Sequence, residues 1–445
     1  MSKSKLSVLN MTPLKMDNNI KEYTTSFDEW VHSREIMCWG TNAGASTIAF
    51  QRWRHFKEAF APELIRRAVI ESPIPVKTCL DPFGGSGTTA LACQFLGVKP
   101  RTIEVNPYLA DLIESKLCQY DPIELSSNFG NLVRYSYDAS PNIEKLSKQS
   151  PATFYEPGEA GRWIFNTPIA ERLSCLLQAI QKIENRSHAR LFKSLLGGVL
   201  VDASNIIVNG KGRRYRSNWM TREITGNHLD NLFQTSIKNA IGDITRYGSR
   251  KCIDYDLLRG DSRLLSSKCN SIDLCVFSPP YPNSFDYTDV YNVELWALGY
   301  LSSKESNREL RNRTLSSHVQ IFRVYEKEPL ESKTLTKVIS SLVKNRHDLW
   351  NKNIPEMVGG YFADLLKVID GVKKNLSSGG TMWMVIGDSK YAGIIIPTAK
   401  ILTELLTVRG WHPTKVEPFR SMRVSAQQGG QFGLDETLLV LQKIS

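Results

Sequence analysis

The chain has 445 residues, enough for a large core and two domains, or for one domain with big insertions. Hydrophobic residues make up 41% and charged residues 23%, with no apolar run of about 18 residues and no signal-like N-terminus, which argues against a membrane span and a secretory leader. A net charge of +11 and a pI near 9.1 favour a polyanionic partner, although a solvated basic surface gives the same totals. Eight scattered cysteines form no CxxC pair and no zinc spacing, so reduced thiols in a cytosolic protein and no metal site are expected.

Residues 1–35 read as a polar, irregular arm. A helix is expected near 59–71, where Ala59, Leu64, Ile65, Ala68 and Val69 recur at helical spacing, and Ser72-Pro73-Ile74-Pro75 ends it. Val76 to Leu80 then read as a buried strand. The turn Asp81-Pro82-Phe83-Gly84-Gly85-Ser86-Gly87 follows, with a helix from Thr88-Thr89 to Gly97. A second strand, Arg101 to Val105, carries Glu104 at its end, and Asn106-Pro107 opens a helix reaching about Tyr120.

This β-α-β unit has the parts of a nucleoside site. Glycines let a backbone approach a ligand closely, and a helix N-terminus favours polar or anionic groups. An acid after the second strand suits a ribose diol. The loop is neither GxGxxG nor a P-loop, which fits a nucleoside without a pyrophosphate. An ordinary βα turn would also use glycines, but the ordered arrival of acid, loop and second acid favours a ligand.

From 121 to 250 the strand–helix rhythm stops, and residues 160–207 look helical. Lys211, Arg213, Arg214, Tyr215 and Arg216 then form a basic, glycine-punctuated loop. It is either a set of phosphate and stacking contacts or a solvated surface. The rhythm resumes at Ile253 to Leu257. Asp261 is positioned either to accept a hydrogen bond from a bound adenine or to cap the next helix.

A short apolar strand, 272–277, ends in Ser278-Pro279-Pro280-Tyr281. Two prolines fix two φ angles and leave bare carbonyls. Such a rigid turn can grip an amino group between the Ser hydroxyl and a proline carbonyl, with the Tyr ring stacked alongside. Residues 302–353 are polar and read as a second insertion, mobile until something binds. A helix at 357–376, a strand at 381–386, a helix at 395–409 and strands near 412–419 and 436–442 complete the chain, with Arg420 and Arg423 in a polar loop between the last two strands.

These motifs together resemble the S-adenosylmethionine-dependent amino-methyltransferases of DNA found in restriction–modification systems. DPFGGSGTT is similar to that family's cofactor loop, IEVNP places Glu104 at its ribose site, and SPPY is similar to its catalytic tetrapeptide. HFKEAFAPEL is similar to a degenerate N-terminal cofactor motif, with Phe60 and Pro62 at the matching places, and IGDSKYAGIIIP and LDETLLVL look familial as well. The likeness covers 50–120 and 251–445, with the two main motifs about 197 residues apart. The order of cofactor loop, insert and catalytic motif resembles the class whose target-recognition region lies between them.

The resemblance implies a Rossmann-like class I α/β fold: a seven-stranded, mostly parallel sheet with helices on both faces, plus a largely helical insertion. It divides the chain into an arm (1–35), a first methyltransferase part (36–120), a candidate target-recognition insert (121–250) and a second methyltransferase part (251–445). S-adenosylmethionine is the implied cofactor, held by Phe60, 81–89, Glu104, Val105, Asn106 and Asp261. Double-stranded DNA is the implied substrate and a cognate restriction endonuclease the implied partner, in a bacterial or archaeal cytoplasm, at the nucleoid. Lys211, Arg213, Arg214, Tyr215, Arg216, Arg420 and Arg423 are the expected DNA contacts.

Ser rather than Asp at 278 is the family form usual for the N4 amino group of cytosine. The target base must be flipped out of the duplex. Transfer is then direct and in line, dominated by positioning, and needs neither a metal nor a strong base. Cytosine-5 methylation is disfavoured because no Pro-Cys dipeptide occurs. Adenine-N6 methylation of DNA, methylation of RNA, and DNA binding by an inactive methyltransferase fold are the alternatives.

Overall fold

The computed structural model describes residues 27–36, 38–42, 44, 47–54, 59–209, 212–250, 252–423 and 432–443. The helix Glu63–Ile70 precedes β1 (Thr78–Asp81), which the helix Thr88–Leu96 connects to β2 (Lys99–Glu104). A hairpin of β3 (Ile206–Asn209) and β4 (Gly212–Tyr215) follows a run of helices. Next come β5 (Asp256–Arg259), β6 (Ile272–Phe277), β7 (Leu376–Gly387), the short β8 (Ser389–Tyr391) and β9 (Ile394–Ile396), then β10 (Trp411–Arg423) and β11 (Phe432–Lys443).

One seven-stranded sheet has the order β10-β11-β7-β6-β1-β2-β5. Neighbours from β5 to β7 pair in parallel, while β11 is antiparallel to both β7 and β10. The mostly parallel α/β sheet is therefore as expected.

Both faces of the sheet are covered, which is why its central strands read as continuous apolar runs. On β6, Leu274 and Val276 enter one core while Cys275 and Phe277 enter the other. On β7, Trp383 and Val385 alternate in the same way with Met382, Met384 and Ile386. The first core also takes Leu125, Leu173, Leu195, Phe233 and Ile237 from helices between 122 and 247, so the largely helical insert is fused to one face of the sheet. The second takes Val358, Phe362 and Leu365 of the helix Ile354–Asn375 and Leu402 and Leu405 of the helix Thr398–Val408.

Several expectations change. The arm expected over 1–35 is core from Phe27 onward: Phe27, Trp30 and Val31 are buried, and the Trp30 ring stacks on Phe95 with centroids 4.5 Å apart. The helical stretch expected over 160–207 resolves into Thr167–Gln181, Arg186–Leu200 and β3. The strand expected over 253–257 begins only at Asp256, because Gln94 holds the preceding chain through the Ile253 carbonyl and the Cys252 N–H.

The segment 302–353 is structured rather than loose. It forms the helices Lys304–Asn312 and Lys333–Lys344, and Leu335, Val338 and Leu342 of the second sit in the core. No helix among the described residues is long and apolar enough to cross a membrane.

Candidate active site

β2 and β5 lie on one side of β1, and β6 lies on the other. Their loops diverge at this switch point, where open α/β sheets place ligands at the carboxyl ends of strands. β1 pairs directly with β6, with Cys79 opposite Leu274 and Leu80 opposite Cys275. The loops after Asp81 and Phe277 therefore emerge side by side despite their separation in sequence.

A cavity of about 390 Å³ opens there. Its wall includes Phe60, Asp81, Pro82, Phe83, Gly84, Gly85, Ser86, Thr88, Thr89, Glu104, Val105, Asn106, Asp261, Ser278, Pro279, Pro280 and Tyr281. Nearly every residue expected to hold a cofactor or the target thus converges on one space. Gly87 stands behind the wall as the N-cap of Thr88–Leu96, at φ 81.

The first loop is held by its own acids. Glu104 accepts the N–H of Gly85 and the N–H of Asn106, each at 2.7 Å. Asp81 accepts the Phe83 N–H at 2.9 Å. Gly85 has φ 53, a left-handed turn that glycine adopts without strain. Behind the loop, the buried Lys116 ammonium donates to the Ser86 carbonyl at 2.7 Å.

The second loop is held by the far edge of the sheet. Ser278 Oγ donates to the Val385 carbonyl at 2.9 Å and lies 3.3 Å from the Tyr281 hydroxyl. Tyr281 donates to Glu436 Oε1 at 3.0 Å. Burial, reinforced by the Glu436 carboxylate, pushes the Tyr281 phenol well up, so it stays protonated. Gly387 ends β7 against this ring, and a Cβ there would come within 2.6 Å of it. A hydroxyl has one proton and two lone pairs. With its proton on Val385, Ser278 offers an acceptor, the form needed to receive an N–H.

Other expected contacts are employed differently. The basic loop is strand β4 of a hairpin outside the cavity wall, with Lys211 beyond the described residues. Arg213 lies 3.3 Å from Asp289, Arg216 donates to the Ser204 and Val201 carbonyls, and the Tyr215 ring packs on Trp219. Of the described hairpin cations, Arg214 is the exposed one.

Arg420 reaches the cavity but is bound to the buried Glu436, its cross-strand partner, at 2.7 Å, so it is no free phosphate hook. The Arg423 side chain lies outside the described residues. Asp261 caps Arg263 N–H at 2.9 Å and pairs with the Arg263 guanidinium at 2.6 Å while also lining the cavity, so the capping alternative is realised.

Among the wall residues that escaped sequence reasoning are Glu436 and His318. Glu436 carried one signal, an acid inside the apolar run LDETLLVL. His318 carried none. It belongs to a strap, 313–318, that closes one side of the cavity. Arg323 meets His318 Nε2 at 3.4 Å. Burial pushes this imidazole down to about 4, and it is neutral at pH 7.

Burial raises Asp81 from 3.8 to about 6 and Glu104 from 4.5 to about 7. Both folded values exceed the unfolded ones, so between these limits the folded chain keeps protons that the unfolded chain has released. The contribution of these two groups to stability therefore falls as pH rises through that window. Without cofactor, the melting temperature of Glu104→Gln relative to the unsubstituted chain is expected to climb between pH 4.5 and about pH 7. A difference that stays flat with pH would show that Glu104 is not held protonated.

The seven-stranded sheet and the switch-point cavity define a Rossmann-like α/β fold with a ligand-sized site at the carboxyl ends of its strands. The DNA methylase family model matches residues 5–115, a span that includes the glycine loop and Glu104. The Type II methyltransferase M.BsoBI of Geobacillus stearothermophilus is 26% identical over 463 residues, covering 93% of this chain and 87% of that one. The Type II methyltransferase M.AvaI of Nostoc sp. is 26% identical over 418 residues, covering 86% and 83%. Among solved structures, an rRNA methyltransferase, aviRa from Streptomyces viridochromogenes, aligns over 86% of this chain and 85% of its own at 8% identity and a TM-score of 0.29, too distant to bear on function. By sequence the chain is a relative of the Type II DNA methyltransferases, and the resemblance read from DPFGGSGTT and SPPY holds.

Proposed function

We propose that this protein methylates the N4 amino group of a flipped cytosine in duplex DNA, with S-adenosylmethionine as methyl donor. The observation that carries the reading is the Ser278 hydroxyl, committed to the Val385 carbonyl at 2.9 Å and so presenting its oxygen as an acceptor beside the glycine loop.

The wall fits such a cofactor. Asp81 and Glu104 are buried and form no ion pair among the described residues, a state that ammonium and ribose hydroxyl donors would relieve. A cavity of about 390 Å³ is in the range that holds small ligands. When bound, S-adenosylmethionine supplies an electrophilic methyl group on a sulfonium.

The chain's own part is positioning. Ser278 accepts one amino hydrogen and the Pro279 carbonyl the other, which draws the nitrogen lone pair out of the ring's conjugation and towards the methyl carbon. Tyr281, kept protonated by burial and tied to Glu436, stacks its ring on the flipped base. With S-adenosylmethionine bound, a nitrogen–carbon bond would form as its carbon–sulfur bond breaks, and the amino group would then release a proton to water. Ser278 is not a base, since a serine hydroxyl does not ionise at neutral pH. Within a restriction–modification pair in the cytoplasm, a nuclease of the same site would be the partner.

The test is product identity. Duplex DNA incubated with the protein and S-adenosylmethionine, then digested to nucleosides for mass spectrometry, is expected to yield N4-methylcytosine. N6-methyladenine alone would overturn the base assignment, and methylation confined to RNA would overturn the substrate. Methylome sequencing of an expressing host then gives the site.

A further inference from the structure

The strap that closes the cavity continues into a segment without regular secondary structure, 322–329, in which exposed and partly buried side chains alternate from Phe322 to Glu326 in an inverted sense. Arg323 and Tyr325 face the body of the protein. Arg323 donates to the carbonyls of Thr314 at 3.2 Å and Arg311 at 2.7 Å and meets His318 at 3.4 Å, while Tyr325 donates to the His318 carbonyl at 3.3 Å. Phe322 and Val324 point the other way and are 77% and 90% exposed. A segment lying on a protein normally buries the aromatic and the valine and leaves the arginine in water. Here the charged residue is the staple and the apolar pair is presented to the outside.

The pair flanks the arginine that grips the cavity wall. Its staple grips His318, so Phe322 and Val324 stand within one arginine side chain of the cavity wall. The strap is also tied to the catalytic turn: Ser284 N–H donates to the Ser317 carbonyl at 2.9 Å, and Gln320 donates to the Ser284 carbonyl at 2.8 Å. Arg313, exposed and also in the cavity wall, puts a cation at the same rim. Of the acids close to it in the chain, Glu326 pairs with Lys367 at 2.7 Å, and Glu309 is exposed one turn before Arg313.

We propose that Phe322 and Val324 form an apolar wedge that enters duplex DNA beside the target base and fills the stack the flipped base leaves, with Arg313 on the adjoining phosphate. This rests on the flipped-base reading above. Extruding a paired base requires unstacking it, and apolar side chains inserted at a base step compensate for that loss. The apolar pair lies outside the cavity, so it acts on the duplex and not on the chemistry.

The experiment uses a duplex carrying the site found by methylome sequencing, with the target either paired or opposite an abasic position. An unpaired target flips at little expense. The double variant Phe322→Ala/Val324→Ala is expected to slow transfer to the paired duplex about tenfold or more, while staying within about threefold of the unsubstituted chain on the abasic duplex. S-adenosylmethionine affinity and melting temperature should not move, because both side chains are exposed.

An equal fall on both duplexes would overturn the wedge. So would unchanged transfer on both, and a simultaneous loss of self-association in sedimentation would then assign the strip to a second copy. No transfer by the unsubstituted chain to either duplex would overturn the DNA-methylation reading, and the wedge with it.

Discussion

Replacing Ser278 with alanine is expected to reduce methyl transfer by about a hundredfold or more, the usual effect of deleting one aligned hydrogen bond to a reacting group. The hydroxyl donates its single proton to the Val385 carbonyl at 2.9 Å, so its lone pairs are what the amino group meets. Alanine removes that acceptor and leaves the Val385 carbonyl without this donor. Cofactor affinity, measured by calorimetry, should stay within about threefold, because Ser278 makes no hydrogen bond to the glycine loop. Turnover within tenfold of the unsubstituted chain would remove Ser278 from the chemistry. A collapse of cofactor affinity would instead place it in the cofactor site.

Gly85→Val is expected to have the complementary effect, lowering S-adenosylmethionine affinity about a hundredfold. Gly85 sits at φ 53, where a β-branched residue is strained, and its N–H is bound by Glu104 at 2.7 Å. A valine would turn the peptide away from that carboxylate and displace the loop from the cavity wall. Gly161→Val is the matched control. Gly161 lies at φ 67 on an exposed loop with nothing within 4 Å of an added Cβ, so it imposes similar backbone strain away from the cavity. Gly161→Val binding the cofactor normally while Gly85→Val does not would tie the effect to the loop. Equal affinity in both would show that the loop is a structural turn only.

The sheet was largely legible because its strands are buried on both faces. The run 272–277 was placed to the residue, since a short apolar stretch ending in Pro-Pro has little alternative. The glycine loop was legible for a related reason: positive φ at Gly85 and Gly87 is a local requirement that leaves its mark in residue type.

Cations were read less well. Arg216 and Arg420 looked like solvated or phosphate-binding charges, but the first clamps backbone carbonyls and the second neutralises Glu436. The fork of N–H donors on an arginine serves a carbonyl as readily as a phosphate, and residue type does not say which. The same difficulty hid the strap. Its inward anchors are the polar-looking residues Arg323 and Tyr325, so 302–353 read as loose surface.

The amino-acid sequence by itself determined the chemistry on offer: an acid-flanked glycine loop, a rigid Ser-Pro-Pro-Tyr turn, and a hydroxyl rather than a carboxylate at its head. These depend on φ preferences and on side-chain type within a few residues. Only the tertiary structure decided how they are used. Pairing of β1 with β6 set the two loops side by side, Val385 fixed the direction of the Ser278 proton, Glu436 held Tyr281, and residues 313–318 closed the cavity. Each of these depends on a partner far away in the chain, and a hydrogen bond acquires its direction only when that partner arrives.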